Sequence, residues 1–354
     1  MSNKLFFLIR IITVLLAIGV WSYCGNSGGG GGDNNGENGE SNSAGDVETE
    51  TVGGVSFNMI YVPAKTTFTD TTDLSEATVT SAYEIADTEV TYELWSTVYT
   101  WATVGDGAPV STGEGAYFFS NAGTMGDNGA RTNQHPVTTI NWRDAMVWTN
   151  ALTEYYNAQN GASLEVVYYS DGDSSYTTPF RDSRDPVATC ATAATSVNAG
   201  DCDNPDVKSN ADGFRLPTAD EWELAARYIT DSNSDGDIKD TGEFYPGNYA
   251  SGATLATTDF TATDLVAWFG NNTPTTGNTT TTQPVSTKTA NALGLYDMSG
   301  NVWEWIYAWY NATVRSVRGG SWFFSATNLQ VGLLSGYLPY LEFEHIGFRP
   351  ARNF

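Results

Sequence analysis

Residues 231–237 (DSNSDGD) carry oxygen-bearing side chains at alternate positions and a glycine at the sixth, which is how a calcium-binding loop opens. The alternating ligands would be Asp231, Asn233, Asp235 and Asp237. Such loops have an acid at the twelfth position, but here that position is Gly242, and Glu243 comes one residue late. The pattern fits a calcium site and equally fits a solvated acidic turn. Calcium is the one cofactor that the sequence suggests, and nothing in it requires a cofactor.

Three cysteines are the other candidates for chemistry. Cys24 follows a short apolar run, residues 11–21, which is preceded by two basic residues; this is typical of an export signal and too short for a confident membrane span. Residues 1–24 are therefore predicted to be a lipoprotein signal peptide with Cys24 lipidated, and ordinary cleavage nearby is the alternative. Cys190 and Cys202 could then form a disulfide in an oxidising compartment, or stay as free thiols. They lack the histidine partners of a zinc site.

The composition predicts a globular domain on a tether. Hydrophobic residues make up 40% of the 354 residues, which is enough for a substantial core. Residues 25–51 are mostly Gly, Asn, Ser and acids, and are predicted to be a flexible tether. The net charge of −25 and the absence of any Lys/Arg-rich run exclude nucleic acid as a partner.

Beyond residue 52, short strands and a few helices alternate with long polar loops. Residues 55–61 alternate as a strand, and residues 82–90 are a second. Helices are predicted over 92–102, over 142–158 after the N-cap Asn141, and from the capping box of Thr218 and Glu221. The loops at 103–134, 170–212 and 229–290 are long. The fold class is therefore α+β with much irregular structure.

Several segments resemble, in order, the formylglycine-generating-enzyme (sulfatase-modifying) family. They are FNMIYVPA (57–64), YEIADTEVTYELW (83–95), HPVTTINWRDAMVW (135–148), GFRLPTADEWELAARY (213–228), GLYDMSGNVWEW (294–305), RGGSW (318–322) and GFRPAR (347–352). The resemblance implies a C-type lectin fold over residues 52–354, with small sheets. It also implies a calcium site involving Asn301 or its neighbouring carbonyls, together with Glu304, for which the alternative is that Glu304 is a buried hydrogen-bond acceptor.

The residues that carry that family's catalysis are missing. Its two catalytic cysteines would fall at Phe324 and Leu329, which cannot ligate copper or form a mixed disulfide. Related iron enzymes of this fold use histidines, and only His135 and His345 are present. No enzymatic activity is therefore predicted, because fold alone does not carry function.

The C-terminal segment also resembles the variable region of diversity-generating-retroelement proteins, of the treponemal variable lipoprotein type. The variable region would span about residues 318–349, with a constant-looking frame at its two ends, 318–322 and 346–349, and a constant-looking spacer, 326–331, between them. Such a retroelement mutates adenines in AAC codons, which can yield Phe, Ser, Leu, Gly, Tyr or His but never Glu, Gln or Trp. The predicted variable, ligand-binding residues are Phe323, Phe324, Ser325, Leu333, Leu334, Ser335, Gly336, Tyr337, Leu338, Tyr340, Leu341, Phe343 and His345. Gln330, Glu342 and Glu344 are predicted to be fixed.

These resemblances lead to an expected function. The chain would be exported and lipid-anchored at the outer membrane or cell surface, where its diversified segment binds a protein or other macromolecule. One alternative is a structural or assembly lipoprotein of the same fold, whose apolar tail is core or a fixed interface. The other is a metal-dependent oxidase, which the missing cysteines disfavour.

Overall fold

The computed structural model describes residues 42–69, 76–103, 116–127, 131–170, 174–184, 203–270, 272 and 281–354. The predicted signal peptide, Cys24, Cys190, Cys202 and residues 25–41 of the predicted tether lie outside these ranges. Within them, no helix has both the length and the apolar character needed to cross a membrane.

The strands are short, and most belong to two four-stranded sheets. Their bounds are β1 Val47–Val52, β2 Val55–Val62, β3 Lys65–Thr69, β4 Glu76–Val79, β5 Tyr83–Ala86, β6 Thr124–Met125, β7 Val137–Thr138, β8 Tyr168–Tyr169, β9 Asp206–Val207, β10 Trp303–Asn311, β11 Val314–Arg318, β12 Ser335–Tyr337, β13 Ile346–Gly347 and β14 Ala351–Asn353. The first sheet has the order β1-β2-β5-β14, and the second β12-β11-β10-β13. All pairs in both are antiparallel except β10 with β13.

Four helices and one 3-10 turn complete the described structure. They are α1 Tyr92–Thr103, α2 Trp142–Asn160, α3 Ala219–Arg227, α4 Phe260–Asp264 and the 3-10 turn Ala326–Asn328. The predicted caps are confirmed: Asn141 and Thr218 each form a full capping box. The predicted helices end within two residues of the observed ends, apart from α3, whose end was not predicted. The predicted α+β class with few helices is confirmed.

Two sequence boundaries need correction. Strand β1 begins at Val47, five residues inside the predicted tether, because residues 47–52 pair in full with β2 and bury Glu50 and Val52. The strand predicted over residues 82–90 is shorter in the structure, where β5 ends at Ala86. There the amide of Asp87 turns to bond the carbonyl of Asn58 at 3.0 Å.

The core joins the helices to the second sheet and to the C-terminal residues. Trp95 of α1 and Trp148 of α2 stack with ring centroids 5.6 Å apart, and Phe348 packs edge-on against both. Trp303 and Trp305 of β10 belong to the same buried cluster. All four tryptophans are buried in the core, and the helices fix the sheet that carries the C-terminal segment.

Candidate binding face in the C-terminal segment

The segment begins at a buried ion pair at the end of β11. Arg318 Nη2 lies 2.9 Å from Glu223 Oε2 on α3, and Arg227 pairs with the other oxygen of Glu223. Arg318 Nη1 also donates to the carbonyls of Val331 and Leu333 at 3.5 and 3.4 Å. One guanidinium therefore ties α3 to the middle of the segment.

A second buried ion pair fixes the end of the segment. Arg349 donates through Nε and Nη2 to Glu304 of β10 at 2.8 and 2.7 Å, and both side chains are fully buried. Glu304 also accepts a hydrogen bond from Trp222 Nε1 at 2.8 Å, and Arg349 donates to the carbonyls of Ala86 and Tyr296. Planar bidentate pairs of this kind set orientation as well as energy.

Glycine is required where the chain leaves β11. Gly320 has φ of +80°, and a Cβ there would lie 2.5 Å from the carbonyl oxygen of Asn328 and 2.6 Å from the Leu329 side chain. The spacer can approach this closely only because residue 320 has no side chain.

Between these ends, main-chain groups outside the predicted variable residues hold the segment. The amides of Gly270, Trp142, Thr139 and Trp303 donate to the carbonyls of Phe324, Pro339, Phe343 and His345 respectively, at 2.8 to 3.2 Å. At the end of the spacer, the amides of Val331 and of the next residue, Gly332, donate to the carbonyls of Tyr249 and Gly247. Strand β12 adds a ladder to β11. These bonds involve no side chain, so the path of the segment depends little on which side chains it carries.

Burial separates the frame from the predicted variable residues, whereas Thr327, Asn328 and Gln330 of the spacer and the predicted fixed residues Glu342 and Glu344 are exposed or half-buried. The frame residues 318–322 and 346–349 are all buried, as are Ala326, Leu329 and Val331 of the spacer. Every predicted variable residue is exposed or half-buried, and Phe323 reaches 58% exposure and Tyr340 47%. The tail does not form two buried strands, because β12 has three half-buried residues and β13 only two residues.

Five of the predicted variable rings form one cluster, here called the aromatic face: Phe323, Phe324, Tyr337, Phe343 and His345. His345 lies at its centre, with ring centroids 5.2 to 6.0 Å from the other four. Tyr337 and Phe343 touch at 4.9 Å and Phe323 and Phe324 at 5.4 Å. Packed rings of this kind present a large area with little conformational freedom to lose on binding.

Buried tryptophans form the floor of the aromatic face. Trp303 meets Phe324, Trp305 meets Tyr337 and Trp322 meets Phe323, all edge-to-face at 5.5 to 6.3 Å. The indole Nε1 of Trp303 is buried without a hydrogen-bond acceptor among the described residues. The rings of the face therefore rest on a rigid layer.

The aromatic face is uncharged at neutral pH. Burial lowers the pKa of His345 from 6.5 to about 4. Burial also raises the pKa of the Tyr337 phenol, whose oxygen lies 3.5 Å from His345 Nε2. Neutral rings can therefore meet an apolar partner with little loss of hydration.

Other predicted variable residues lie apart from this cluster. Leu334 packs against the core of the first sheet and α3, whereas Leu333 packs against the same core as the aromatic face. The Tyr340 ring lies 5.8 Å from the guanidinium of Arg143, which is itself paired with Asp203 at 2.5 and 2.8 Å. Ser325, Ser335, Gly336, Leu338 and Leu341 are exposed or half-buried.

One exposed aromatic pair was missed by sequence reasoning. Trp309 and Tyr310 are 40% and 50% exposed at the outer end of β10, and Tyr310 touches Gly336 of β12. The Arg315 guanidinium lies between Trp309 and Trp142, 3.8 and 3.9 Å from their ring centroids, and burial lowers its pKa to about 10. The only sequence signal for this exposed pair was that the aromatic residues of β10 continue beyond the buried half of the strand.

The acidic loop folds largely onto its own groups. Asp231 makes a 2.6 Å ion pair with Lys65, which is the first cause of its lowered pKa, and accepts from the Gly236 amide. The Asn233 amide donates to Asp235 at 2.8 Å, and Glu243 accepts from Ser232. Among the described residues, no group of three His, Cys, Asp or Glu side chains is arranged to hold a metal ion. Calcium binding at this loop, including Asp237, stays a prediction.

The second predicted calcium position is a buried hydrogen-bond network. Asn301 has φ of +52° and donates from Nδ2 to Glu89 Oε2 at 2.6 Å, while the Val302 amide donates to the other oxygen. Burial raises the pKa of Glu89 well above its usual range. Glu304 accepts hydrogen bonds from Arg349 and Trp222. It therefore has the role given as the alternative to calcium binding, that of a buried hydrogen-bond acceptor.

The positions of the missing cysteines have structural roles. Phe324 belongs to the aromatic face, and Leu329 is buried in a small cluster with Ala326 and Phe269. The chain has the frame of the family motif at residues 318–322 and 346–349. Between its two ends, apolar side chains stand at the positions where the family has thiols.

The fold and the framed C-terminal segment place this chain in a known protein family. Residues 44–354 match the sulfatase-modifying factor enzyme 1-like domain, so the chain belongs to that family. The solved structure of Treponema denticola variable protein 1 superposes with a TM-score of 0.57 and 27% identity, covering 87% of this chain and 99% of that one.

Two curated relatives match over shorter spans. Chaperone protein LppX of Paenibacillus barcinonensis is 30% identical over 58% of this chain and 66% of its own length. The inactive C-alpha-formylglycine-generating enzyme 2 of Bos taurus is 33% identical over 39% of this chain and 44% of its own. The chain thus spans less than two thirds of the length of either relative.

Proposed function

We propose that this protein is an exported, lipid-anchored binding protein, and that the aromatic face and its neighbours in residues 323–345 contact a macromolecular ligand. The observation that carries the proposal is the division of burial within one segment. The frame side chains are buried, with Arg318 and Arg349 in ion pairs, while the predicted variable side chains between them are exposed or half-buried on a backbone held by main-chain bonds. A core segment would bury its large apolar side chains, so this arrangement favours a contact surface.

We further propose that the exposed side chains are diversified by a retroelement. Support comes from the likeness to Treponema denticola variable protein 1, which extends over nearly all of that structure. The predicted variable positions, all exposed or half-buried, also carry residues that adenine mutagenesis of AAC codons can produce. The buried Trp322 is not among those products, and Gln330, Glu342 and Glu344 would stay fixed.

A non-catalytic role accompanies this proposal. Phe324 and Leu329 occupy the positions of the family's catalytic thiols, and a relative in Bos taurus is named an inactive enzyme. Neither side chain can supply a metal ligand or a nucleophile. The only histidines of the chain, His135 and His345, are both partly or fully buried with lowered pKa values.

The relative named chaperone protein LppX favours a second candidate. In that case the same exposed rings would hold one fixed client during its assembly, and no diversification would occur. Both candidates use the same surface and differ in whether its side chains vary between copies of the gene.

Sequencing the DNA around the coding region separates the two candidates. The diversified protein requires a near-copy of the codons for residues 318–349 beside a reverse transcriptase, with differences confined to adenine positions. A flanking region without such a copy would remove diversification and leave the fixed-client candidate.

A stability comparison tests whether the segment is a surface at all. Phe323→Ser and Tyr340→Ser should each change the free energy of unfolding by less than about 1 kcal/mol, because each ring is about half exposed. Phe260→Ser is the matched control, since Phe260 is 54% exposed outside the segment. Unfolding of the first two variants, with the control intact, would show that the tail is core and would contradict both candidates.

A further inference from the structure

Trp309, at the outer end of β10, lies outside the segment that is proposed to vary, and the inference drawn from it rests on the proposed function. We propose that Trp309 is a constant anchor of the same contact surface, against which a protein ligand places an apolar side chain and a neighbouring main-chain carbonyl. The variable region would begin at residue 318, so this ring would be the same in every variant, while the residues beside it change.

Strand register places Trp309 on the side of the sheet that carries the aromatic face. Trp309 is opposite Arg315 of β11, and Arg315 is opposite Tyr337 of β12. Directly opposed residues point to the same side of a sheet, and neighbouring strands are closely spaced. The row therefore leads from Trp309 to Tyr337 across two strand spacings, about 10 Å in all. Trp305 of the same strand also meets the Tyr337 ring, so this side of β10 faces the cluster.

A chain of contacts joins Trp309 to a second exposed ring, that of Tyr340. The Arg315 guanidinium lies 3.8 Å from the Trp309 ring centroid and donates to the carbonyl of Asp203. The Asp203 carboxylate pairs with Arg143, whose guanidinium lies 5.8 Å from the Tyr340 ring centroid. Trp309 is 40% exposed and Tyr340 47%. The two rings therefore border one patch of surface.

Covering Arg315 accounts for only one side of the Trp309 indole. Arg315 is 1% exposed, and its guanidinium is also covered by the Trp142 ring at 3.9 Å. The inner side of Trp309 is thus fixed by packing while the rest of the ring stays open. A lone exposed ring needs no explanation, but this one continues a cluster of rings. An ordered, half-open tryptophan is typical of hot spots in protein interfaces.

The Trp309 indole also offers a hydrogen bond to a ligand. The indole Nε1 atoms of Trp142, Trp148 and Trp222 each donate to a group of the protein. Among the residues that the structure describes, Trp309 Nε1 has no such acceptor. An indole nitrogen can only donate, so its partner is an acceptor beside an apolar group. Every protein segment combines a main-chain carbonyl with a side chain, which favours a protein ligand.

The test selects peptides from a phage-displayed random dodecapeptide library on the immobilised full chain. Several unrelated peptides are measured against each variant, so that a shared anchor differs from the contacts of one peptide. Trp309→Leu should weaken every selected peptide about 10-fold or more, the loss expected for a hot-spot tryptophan. Trp309→Phe keeps a ring over Arg315 and should weaken them about 2- to 10-fold, as expected for the loss of one hydrogen bond.

Tyr310→Ser is the matched control, because Tyr310 is the next residue and is 50% exposed on the other side of the sheet. A Cβ at Gly336 would lie 2.7 Å from Tyr310 Cβ, and Gly336 alternates with Tyr337 along β12. The control should keep the affinity within about 2-fold, as for residues outside a hot spot. Urea unfolding checks that each variant is folded, and unfolding of Trp309→Phe would show a structural role and overturn the inference.

The remaining outcomes separate this inference from the proposed function. Peptides that lose affinity with Phe323→Ser, and keep it with both Trp309 variants, would refute the constant anchor and leave the aromatic face as the contact. Peptides unaffected by both Phe323→Ser and Tyr340→Ser would show that the predicted variable residues are not the contact, and would refute both proposals. An equal loss with Tyr310→Ser and the Trp309 variants would overturn the anchor, and a library without enriched peptides would refute the protein ligand.

Discussion

Replacing Arg349 by methionine should destabilise the protein far more than any change on the aromatic face. The Arg349 and Glu304 side chains are both fully buried and joined by two bonds of 2.7 and 2.8 Å. Methionine keeps the apolar stem but removes the charge, so the buried Glu304 keeps only Trp222 Nε1 as a hydrogen-bond donor among the residues that the structure describes. Removing one member of such a pair costs about 3 to 5 kcal/mol.

That loss is a large part of the stability of an ordinary domain, which is about 5 to 15 kcal/mol. Urea unfolding at pH 7, followed by far-ultraviolet circular dichroism, should show a lower midpoint for Arg349→Met. Adding Glu304→Leu should recover at least about 1 kcal/mol, because the unpaired charge is then gone. Tyr340→Ser is the exposed control.

Two results would refute this reasoning. A loss below about 1 kcal/mol for Arg349→Met would mean that the pair does not hold the segment, in contrast with buried pairs elsewhere. A double variant no more stable than Arg349→Met would mean that the lost bonds to the carbonyls of Ala86 and Tyr296, and not the unpaired buried charge of Glu304, cause the damage.

Three further changes have defined outcomes. Gly320→Ala should cost more in unfolding free energy than Gly54→Ala, by at least about 1 kcal/mol, since both have positive φ but only Gly320 also meets a carbonyl. Asn141→Ala should cost about 1 kcal/mol through loss of the α2 capping box, measured by thermal unfolding. His345→Phe should remove a pH dependence. The folded pKa of about 4 lies below the ordinary 6.5, so the unfolded chain binds the proton first and stability is lost as pH falls from 6.5 towards 4. Wild type should lose about 2 kcal/mol more than His345→Phe between pH 7 and 5, and equal losses would contradict the assigned burial.

Local signals predicted much of the fold. Asn141 and the pair Thr218 and Glu221 mark helix starts because capping depends on neighbouring residues only. The alternation over residues 55–61 predicted β2, which ends one residue later at Val62, beside Pro63. The start of β1 was missed, since a strand of Val, Glu and Thr is stabilised by its partner β2 and not by its own composition.

The site was predictable in its composition but not in its contacts. The frame and the residues between it could be read from motifs, and their burial follows that division. The partners of Arg318 and Arg349 could not, because Glu223 and Glu304 lie 95 and 45 positions away in the sequence. The clustering of four rings around His345 also depends on how β12 and β13 are placed, which no local pattern determines.

The main-chain bonds to the carbonyls of Phe324, Pro339, Phe343 and His345 have a consequence for how this surface could evolve. Carbonyl oxygens are the same in every amino acid, so the path of the loop is specified by atoms that mutation does not alter. Selection for folding then acts on the frame, and selection for recognition acts on the side chains between its ends. A gene for such a protein can explore many surfaces while few of its trial copies are lost to misfolding.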